Sequence, residues 1–311
     1  MKTFRCVFPY ISETVLPDNI GELLAARAFD GLAEGQREGQ GWARIGDERM
    51  LTVDGKFLLR YFTSKRRPDA AAVQRLVSER VEQAAADGRD ITPDLQDELY
   101  AQAENELLKY SPIASNAVFM LMWPARRLLL VAGATASKCE DALSCLRKTL
   151  DGLHAMPWGD VSSISQAVTK TMTTETSVYK LPANLTISPF GKTLFTGEDS
   201  SLKITLDGVS NDSDDAKNIL TGMTARSVEM SLNKRPDNGQ IENLANFTLV
   251  MPPKGNVHFK SFDYDDDSLG GDYTQALIAE MHIVTGYMLM MLSGLDCFTG
   301  NEESIFASTQ E

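Results

Sequence analysis

Residues 119–153 read FMLMWPARRLLLVAGATASKCEDALSCLRKTLDGL, and their pattern organises the rest of the chain. Phe119 to Trp123 and Leu128 to Val131 are apolar runs of strand length. Pro124-Ala-Arg-Arg127 between them is a polar turn opened by proline, so a hairpin is expected. Ser137 stands three residues before Glu140, the spacing at which a hydroxyl and a carboxylate cap each other's backbone N–H groups at a helix start. The helix that follows places Ala142, Leu146, Thr149, Leu150 and Leu153 on one side, with Gly152 near its end. Lys138, Arg147 and Lys148 face elsewhere.

Ahead of this stretch, Phe4 to Phe8 alternate as an opening strand, and Gly21 to Phe29 carry Leu23, Leu24 and Ala28 at helical spacing. Gly31 to Gly41 is a polar, glycine-rich loop, and Asp54-Gly55 suits a tight turn before a strand at Lys56 to Phe62. Composition changes at Lys65. Pro68 and Asp69 announce a helix with Val73, Leu76, Val77 and Val81 as its stripe. Asp87-Gly88 ends it, and Thr92-Pro93 starts a second with Leu95, Leu99, Ala103 and Leu107. Each has one narrow apolar face, so the pair must pack on itself, on the body or on a partner.

After Trp158 the chain turns polar and strand-rich. Ser162 to Thr176, dense in Ser and Thr, reads as a linker or strand pair. Leu202 to Leu206, Ser227 to Leu232, Phe247 to Met251 and Val257 to Phe262 read as strands, with a short helix at Asp212 to Thr221. A last helix from Asp272 to Leu295 carries Leu277, Ile278, Met281, Val284, Met288, Leu289 and Leu292, apolar enough for burial in the core or a subunit interface. The class is therefore α+β: a strand-rich centre (residues 1–65 and 113–165), an inserted helical tip (66–112) and a β-rich base (166–311) ending in the apolar helix.

At 311 residues and 43% hydrophobic, the chain can bury a substantial core. Its formal charge of −13 argues against a surface that binds nucleic acid throughout, because phosphate binding needs Lys and Arg. Residues 1–165 hold 20 Lys+Arg against 23 Asp+Glu, and residues 166–311 hold 10 against 20, so any DNA contact is local and the basic side is the front half, with Lys203 the one candidate contact behind it. Cys6, Cys139, Cys145 and Cys297 have no zinc spacing and read as reduced thiols. No signal peptide is evident, and no unbroken apolar run reaches the roughly 18 to 20 residues of a membrane span. A soluble, cytoplasmic protein is expected.

Candidate chemistry is sparse. His154, His258 and His282 lie far apart and read as structural or surface histidines. Asp263, Asp265 and Asp267 have the alternation of a calcium loop, but Ser268 and Thr274 stand where that loop needs Gly and Glu, so a solvated turn capped by Asp272 is the better reading. No phosphate-binding G-x-x-x-x-G-K-[ST] loop or G-x-S-x-G elbow is present. What stands out is basic: Lys65, Arg66 and Arg67 before the helical hairpin, Arg75 and Arg80 on its first helix, Arg89 at its turn, Arg126 and Arg127 in the strand turn, and Arg147 and Lys148 on the capped helix. Any one alone is ordinary solvated charge. Together, in one half of an acidic chain, they make a surface able to track phosphates without reading bases.

The wording Met122-Trp123, then Ala136-Ser137-Lys138-Cys139-Glu140-Asp141, then Leu143, Leu146-Arg147-Lys148, Leu150 and Leu153 resembles the recombination-associated protein RdgC family. A looser likeness includes Phe4, Phe29, Gly41-Trp42, the Asp54-Gly55 turn, Gly222 to Leu232 and the helix from Asp272 to Leu295. The resemblance implies a non-enzymatic protein without cofactor or metal, a ring-shaped homodimer closed by the helical tip and by the last helix. Double-stranded DNA would thread the ring, and a recombinase filament would be kept from it at the nucleoid. Single-stranded DNA is a second candidate ligand. A ring that acts on a recombination or host protein, or a metal-dependent exonuclease, are the alternatives. Three departures bear on DNA affinity rather than on the fold. Arg89 is the only base in residues 87–94, where the family's tip is rich in Lys and Arg. Thr205-Leu206-Asp207, with Lys203 nearby, replaces a basic pair followed by Gln, and Ala114 replaces an aromatic. Arg147 and Lys148 match the family's wording and carry over as candidate contacts.

Overall fold

The computed structural model describes residues 2–173, 180–197, 201–210, 213–234, 240–265 and 270–298. β1 (Val7–Ser12) and α1 (Ile20–Ala25) lead into β2 (Glu38–Ala43), β3 (Met50–Val53) and β4 (Lys56–Arg66). Then come α2 (Ala70–Ala86), α3 (Pro93–Leu108), β5 (Ile113–Trp123), β6 (Leu128–Ala132), α4 (Ala136–Thr149), β7 (Ala155–Pro157) and α5 (Val161–Thr173). The remainder holds β8 (Leu185–Ile187), β9 (Thr193–Thr196), β10 (Lys203–Leu206), α6 (Asp214–Ile219), β11 (Thr224–Lys234), β12 (Glu242–Val250), β13 (His258–Tyr264) and α7 (Tyr273–Leu295). The fold is α+β.

The strands join in one antiparallel sheet ordered β10-β9-β11-β12-β13-β1-β6-β5-β4-β2, with β3 on β4, β7 on β1 and β8 on β11. β1 against β13 links the strands of the expected centre to those of the expected base. Alternation along β5 shows how the front of the sheet is covered. Val118, Met120 and Met122 pack with Leu24, Trp42, Ala142, Leu143 and Leu146 beneath α1 and α4. Phe119 and Leu121 point the other way, into the core shared by α5 and α7. There α7 buries Leu277, Met281, Val284, Met288, Met291, Leu292 and Leu295.

Several elements form for the reasons the sequence offers. Asp54 and Gly55 both take positive φ, 48° and 68°, which a two-residue turn between β3 and β4 demands. Asp69, Thr92 and Asp272 cap α2, α3 and α7 with their side-chain oxygens. α2 and α3 pack on each other through Val73, Val77 and Ala103 near the body and Ala84, Leu95 and Leu99 farther out.

Others differ from expectation. α4 is capped by Thr135, which accepts from the Lys138 N–H; Ser137 lies inside the first turn and Glu140 accepts instead from the Tyr10 hydroxyl at 3.0 Å. The opening strand begins at Val7, so Phe4 precedes it, and the glycine-rich loop gives way to β2 at Glu38. Residues 162–173 are neither linker nor strand pair but α5. Its Ile164, Ala167, Val168 and Met172 make a buried stripe, and its Thr169, Thr171 and Thr173 hydroxyls donate back to carbonyls four residues earlier. The Asp267 and Ser268 positions of the calcium-type spacing lie outside the described residues, as do the start of the expected helix at Asp212 and the end of the Ser162–Thr176 stretch. α7 is also long and apolar enough to cross a membrane by length and composition, with a mean hydropathy of 1.4, although Glu280 and His282 break its apolar run. Its seat in the main core accounts for that composition.

Candidate nucleic-acid interface

Register fixes where the eleven candidate cations sit. Lys65, Arg66 and Arg67 close β4 at the foot of the tip. Lys65 faces Glu38 across the β2–β4 ladder, with Nζ 2.6 Å from Oε2, and this contact holds the Glu38 carboxyl below the usual range. Arg66 donates to the carbonyls of Lys109 at 3.2 Å and Ala33 at 3.5 Å, while Arg67 is exposed. In the tip, Arg80 is paired with Glu106 of α3, and Arg75 and Arg89 are exposed.

At the far end of β5, the Arg126 guanidinium lies 5.8 Å over the Trp123 ring, with Lys56 Nζ over the same ring at 4.7 Å. Arg127 takes a left-handed conformation and pairs with Glu13. Arg147 and Lys148 are exposed on the last turn of α4, which crosses the sheet to end over β2. Lys148 shares the surroundings of Cys145 there with Arg27. Lys203 is exposed on β10, the edge strand.

The groups do not form one patch on a single chain. Ten residue steps of β5 separate Ile113, opposite Arg66, from Trp123, which is about 34 Å of extended strand. Among the described residues, Lys65, Arg80 and Arg127 are already paired with carboxylates.

The structure also picks out a residue the sequence reading passed over. Arg60, in the middle of β4, lies 5.1 Å over Phe62 and 5.9 Å over Phe119, and its guanidinium donates to the Arg44 carbonyl at 3.4 Å. Pairing places Arg60, Phe62, Ser64 and Arg66 on one face with Phe119, Ala117, Ser115 and Ile113. The signal was present: Leu58-x-Arg60-x-Phe62-x-Ser64-x-Arg66 has period two and continues the face that begins with buried Leu58. β4 carries Lys56, Arg60, Lys65 and Arg66 with no acid, and β5 and β6 carry no charge at all. In a chain of net −13, this part of the sheet is a local basic exception. A hollow of about 360 Å³ beside it is lined by Asp30, Ala43, Arg44, Arg60 and Phe62. Asp30 is tied up by Arg49 at 2.7 Å, whose hydrogen bonds hold its carboxyl below the usual range.

The other titratable groups have structural settings. His258 stacks on Phe8 with ring centroids 4.5 Å apart, and His282 lies 3.6 Å from Asp54. Cys6, Cys139 and Cys145 are free thiols. Among the described residues, no three His, Cys, Asp or Glu side chains are grouped so as to hold a metal ion.

Comparison with known proteins agrees with the reading of residues 119–153. The profile of the family described as "Putative exonuclease, RdgC" matches residues 3–236. A curated relative, "Recombination-associated protein RdgC" of Tolumonas auensis, is 25% identical over 146 residues, which is 45% of this chain and 48% of that protein. The chain thus aligns with about half the length of that relative. With three quarters of its residues matched by one profile, the chain belongs to the RdgC family.

Proposed function

We propose that this protein is a non-enzymatic, sequence-independent DNA-binding protein of homologous recombination. It assembles as a ring-shaped homodimer around duplex DNA and limits the access of a recombinase filament, in the cytoplasm at the nucleoid. The observation that carries the reading is the basic sheet region: Lys56, Arg60, Lys65 and Arg66 on a strand without acids, inside a chain of net −13. Neutralisation of phosphates is the main sequence-independent source of DNA affinity, and a guanidinium stacked on aromatic rings can also meet a sugar–phosphate edge. The name of the curated relative supports a recombination role.

Because the cations of one chain lie in separate groups, a continuous basic track needs a second copy to bring them opposite one another. The half-buried sides of α7, Ile278 and Leu289 on one and Ile283, Tyr287 and Met290 on the other, offer apolar surface for that contact. Titration of labelled duplex at rising salt tests the reading, with oligomer mass measured in parallel. Binding should weaken linearly in log–log form, and charge reversal at Arg60, Arg66, Arg147 and Lys148 should reduce both affinity and slope. Absence of binding at low ionic strength would overturn it. Degradation of linear DNA in magnesium, abolished by chelator, would overturn the non-enzymatic part.

A second reading is favoured by the neutralised cations. With Lys65, Arg80 and Arg127 paired to Glu38, Glu106 and Glu13, the ring would act chiefly on a protein partner. Capture of a recombination protein without any gel shift would select it.

A further inference from the structure

A cavity of about 480 Å³ opens between the N-terminal segment, the ends of β5 and β6 nearest the tip, and the first turns of α7. That volume is in the range of small-molecule sites, and its walls are largely apolar: Ala117, Phe119, Ala132, Ala276 and Leu277. One wall is different. Glu280 is 2% exposed and lines the cavity with a carboxylate.

The two oxygens of that carboxylate have different surroundings. Oε1 accepts the backbone N–H groups of Thr3 and Phe4 and the hydroxyl of Tyr264, which ties the N-terminal segment to α7. Oε2 accepts no hydrogen bond from the described residues and is not sealed from solvent, so it opens onto the cavity that Glu280 lines. No Lys, Arg or His forms an ion pair with Glu280 among the described residues. Buried carboxylates ordinarily have a cation or a full set of donors, because desolvation of the charge is otherwise uncompensated. Here the missing partner is on the cavity side.

We propose that this cavity binds a small organic ammonium, a primary amine on a short apolar stem. The ammonium meets Glu280 Oε2 and the stem lies between Phe119 and Leu277. The cations at the mouth narrow the class further. Lys2 is engaged by Asp263 and the Tyr264 carbonyl, and Arg5 is exposed. A ligand with a second positive charge would meet both, so a monoamine fits and a polyamine does not. The site does not depend on the DNA reading.

The test is calorimetric titration of the full chain with phenethylamine hydrochloride at neutral pH, with 2-phenylethanol and spermidine as parallel ligands. Saturable binding of the amine is expected, at least tenfold tighter than the alcohol and than spermidine. Glu280→Gln retains an acceptor for Thr3, Phe4 and Tyr264, and should weaken the amine at least tenfold. Ala276→Leu keeps the Glu280 carboxylate and fills the cavity one helical turn before it, and should abolish binding while leaving the thermal midpoint in place. No saturable binding, equal affinity for amine and alcohol on the unmodified protein, or full binding by Ala276→Leu would each overturn the proposal.

Discussion

The indole N–H of Trp42 donates to the hydroxyl oxygen of Thr149 at 2.9 Å, joining β2 to the last turn of α4 inside the core. Trp42 is 0% exposed and Thr149 5%, and the threonine passes the chain of bonds on by donating to the Cys145 carbonyl at 2.8 Å. Thr149 thus turns a helix C-terminus into an acceptor for the largest side chain of the front core. Thr149→Val keeps the shape and leaves the indole N–H without a partner. The expected cost is about 1–3 kcal/mol, read as a lower denaturant midpoint with unchanged slope. Thr149→Ser, which keeps the acceptor, should lose less.

Neutralised cations predict gains as well as losses. Glu38→Gln frees Lys65, and Glu13→Gln frees Arg127, each without adding a positive charge of its own. If the proposed DNA reading holds, each variant should bind duplex more tightly at low salt. The log–log salt slope should steepen by up to about 0.9 for each cation that reaches a phosphate. Unchanged slopes in both would place these two cations off the DNA path.

Legibility from sequence follows whether local or distant contacts decide a feature. The β3–β4 turn, the tip helices and α7 were legible because Asp54-Gly55, Asp69, Thr92-Pro93 and Asp272 are local signals that the chain itself satisfies. α5 was not, because Val161–Thr173 is poor in strong helix formers; its helicity is secured by Ile164, Ala167, Val168 and Met172 packing against the sheet. The basic positions were visible as residue types. Their partners were not, since Glu13 reaches Arg127 across 114 residues and Glu106 reaches Arg80 only once α2 and α3 fold back. Arg60 is a different case: its period-two face with Leu58, Phe62 and Arg66 is legible, but it stands between apolar neighbours inside a strand, and its contact with Phe119 comes only from the β4–β5 pairing.

Stability should fall on mild acidification through His258. Burial, with a smaller contribution from the Lys260 charge, holds this imidazole below the usual value of 6.5. A histidine with a depressed folded pKa binds fewer protons in the folded than in the unfolded state between the two values. The unfolded chain is therefore favoured as pH drops below about 6.5, until the folded pKa is reached. His258→Gln should flatten that part of the stability–pH curve, measured by denaturation at closely spaced pH values. A curve of the same steepness in the variant would assign the effect to other groups.

The thiols should differ in reactivity because they differ in burial. Cys139 is 0% exposed and burial pushes its thiol up to about 12, whereas Cys6 and Cys145 are half-buried and less strongly raised. The thiolate is the reacting species, so Cys139 should stay unmodified by iodoacetamide in the native protein at mild alkaline pH. It should react with the others once denaturant is added. Peptide mass spectrometry resolves the sites, and native labelling of Cys139 at the rate of Cys145 would contradict the burial.

The tip should open before the sheet. α2 and α3 are held to each other by two small clusters, Val73–Val77–Ala103 and Ala84–Leu95–Leu99. Among the described residues, their polar side-chain ties to the body are the Arg37–Glu104 pair and the contact of Arg66 with the Lys109 carbonyl. Exposed pairs such as Arg37–Glu104 contribute little, so tip stability rests on its own few buried side chains. Local opening free energies follow local apolar burial, and a two-helix hairpin with such a core lies near the low end. Leu99→Ala removes one of those side chains, at a cost of about 2–5 kcal/mol on the tip. Hydrogen exchange should then lose protection throughout α2 and α3 while β6 and the Val118–Met122 part of β5, buried in the sheet core, keep theirs. Equal loss in tip and sheet would mean that the two unfold as one unit.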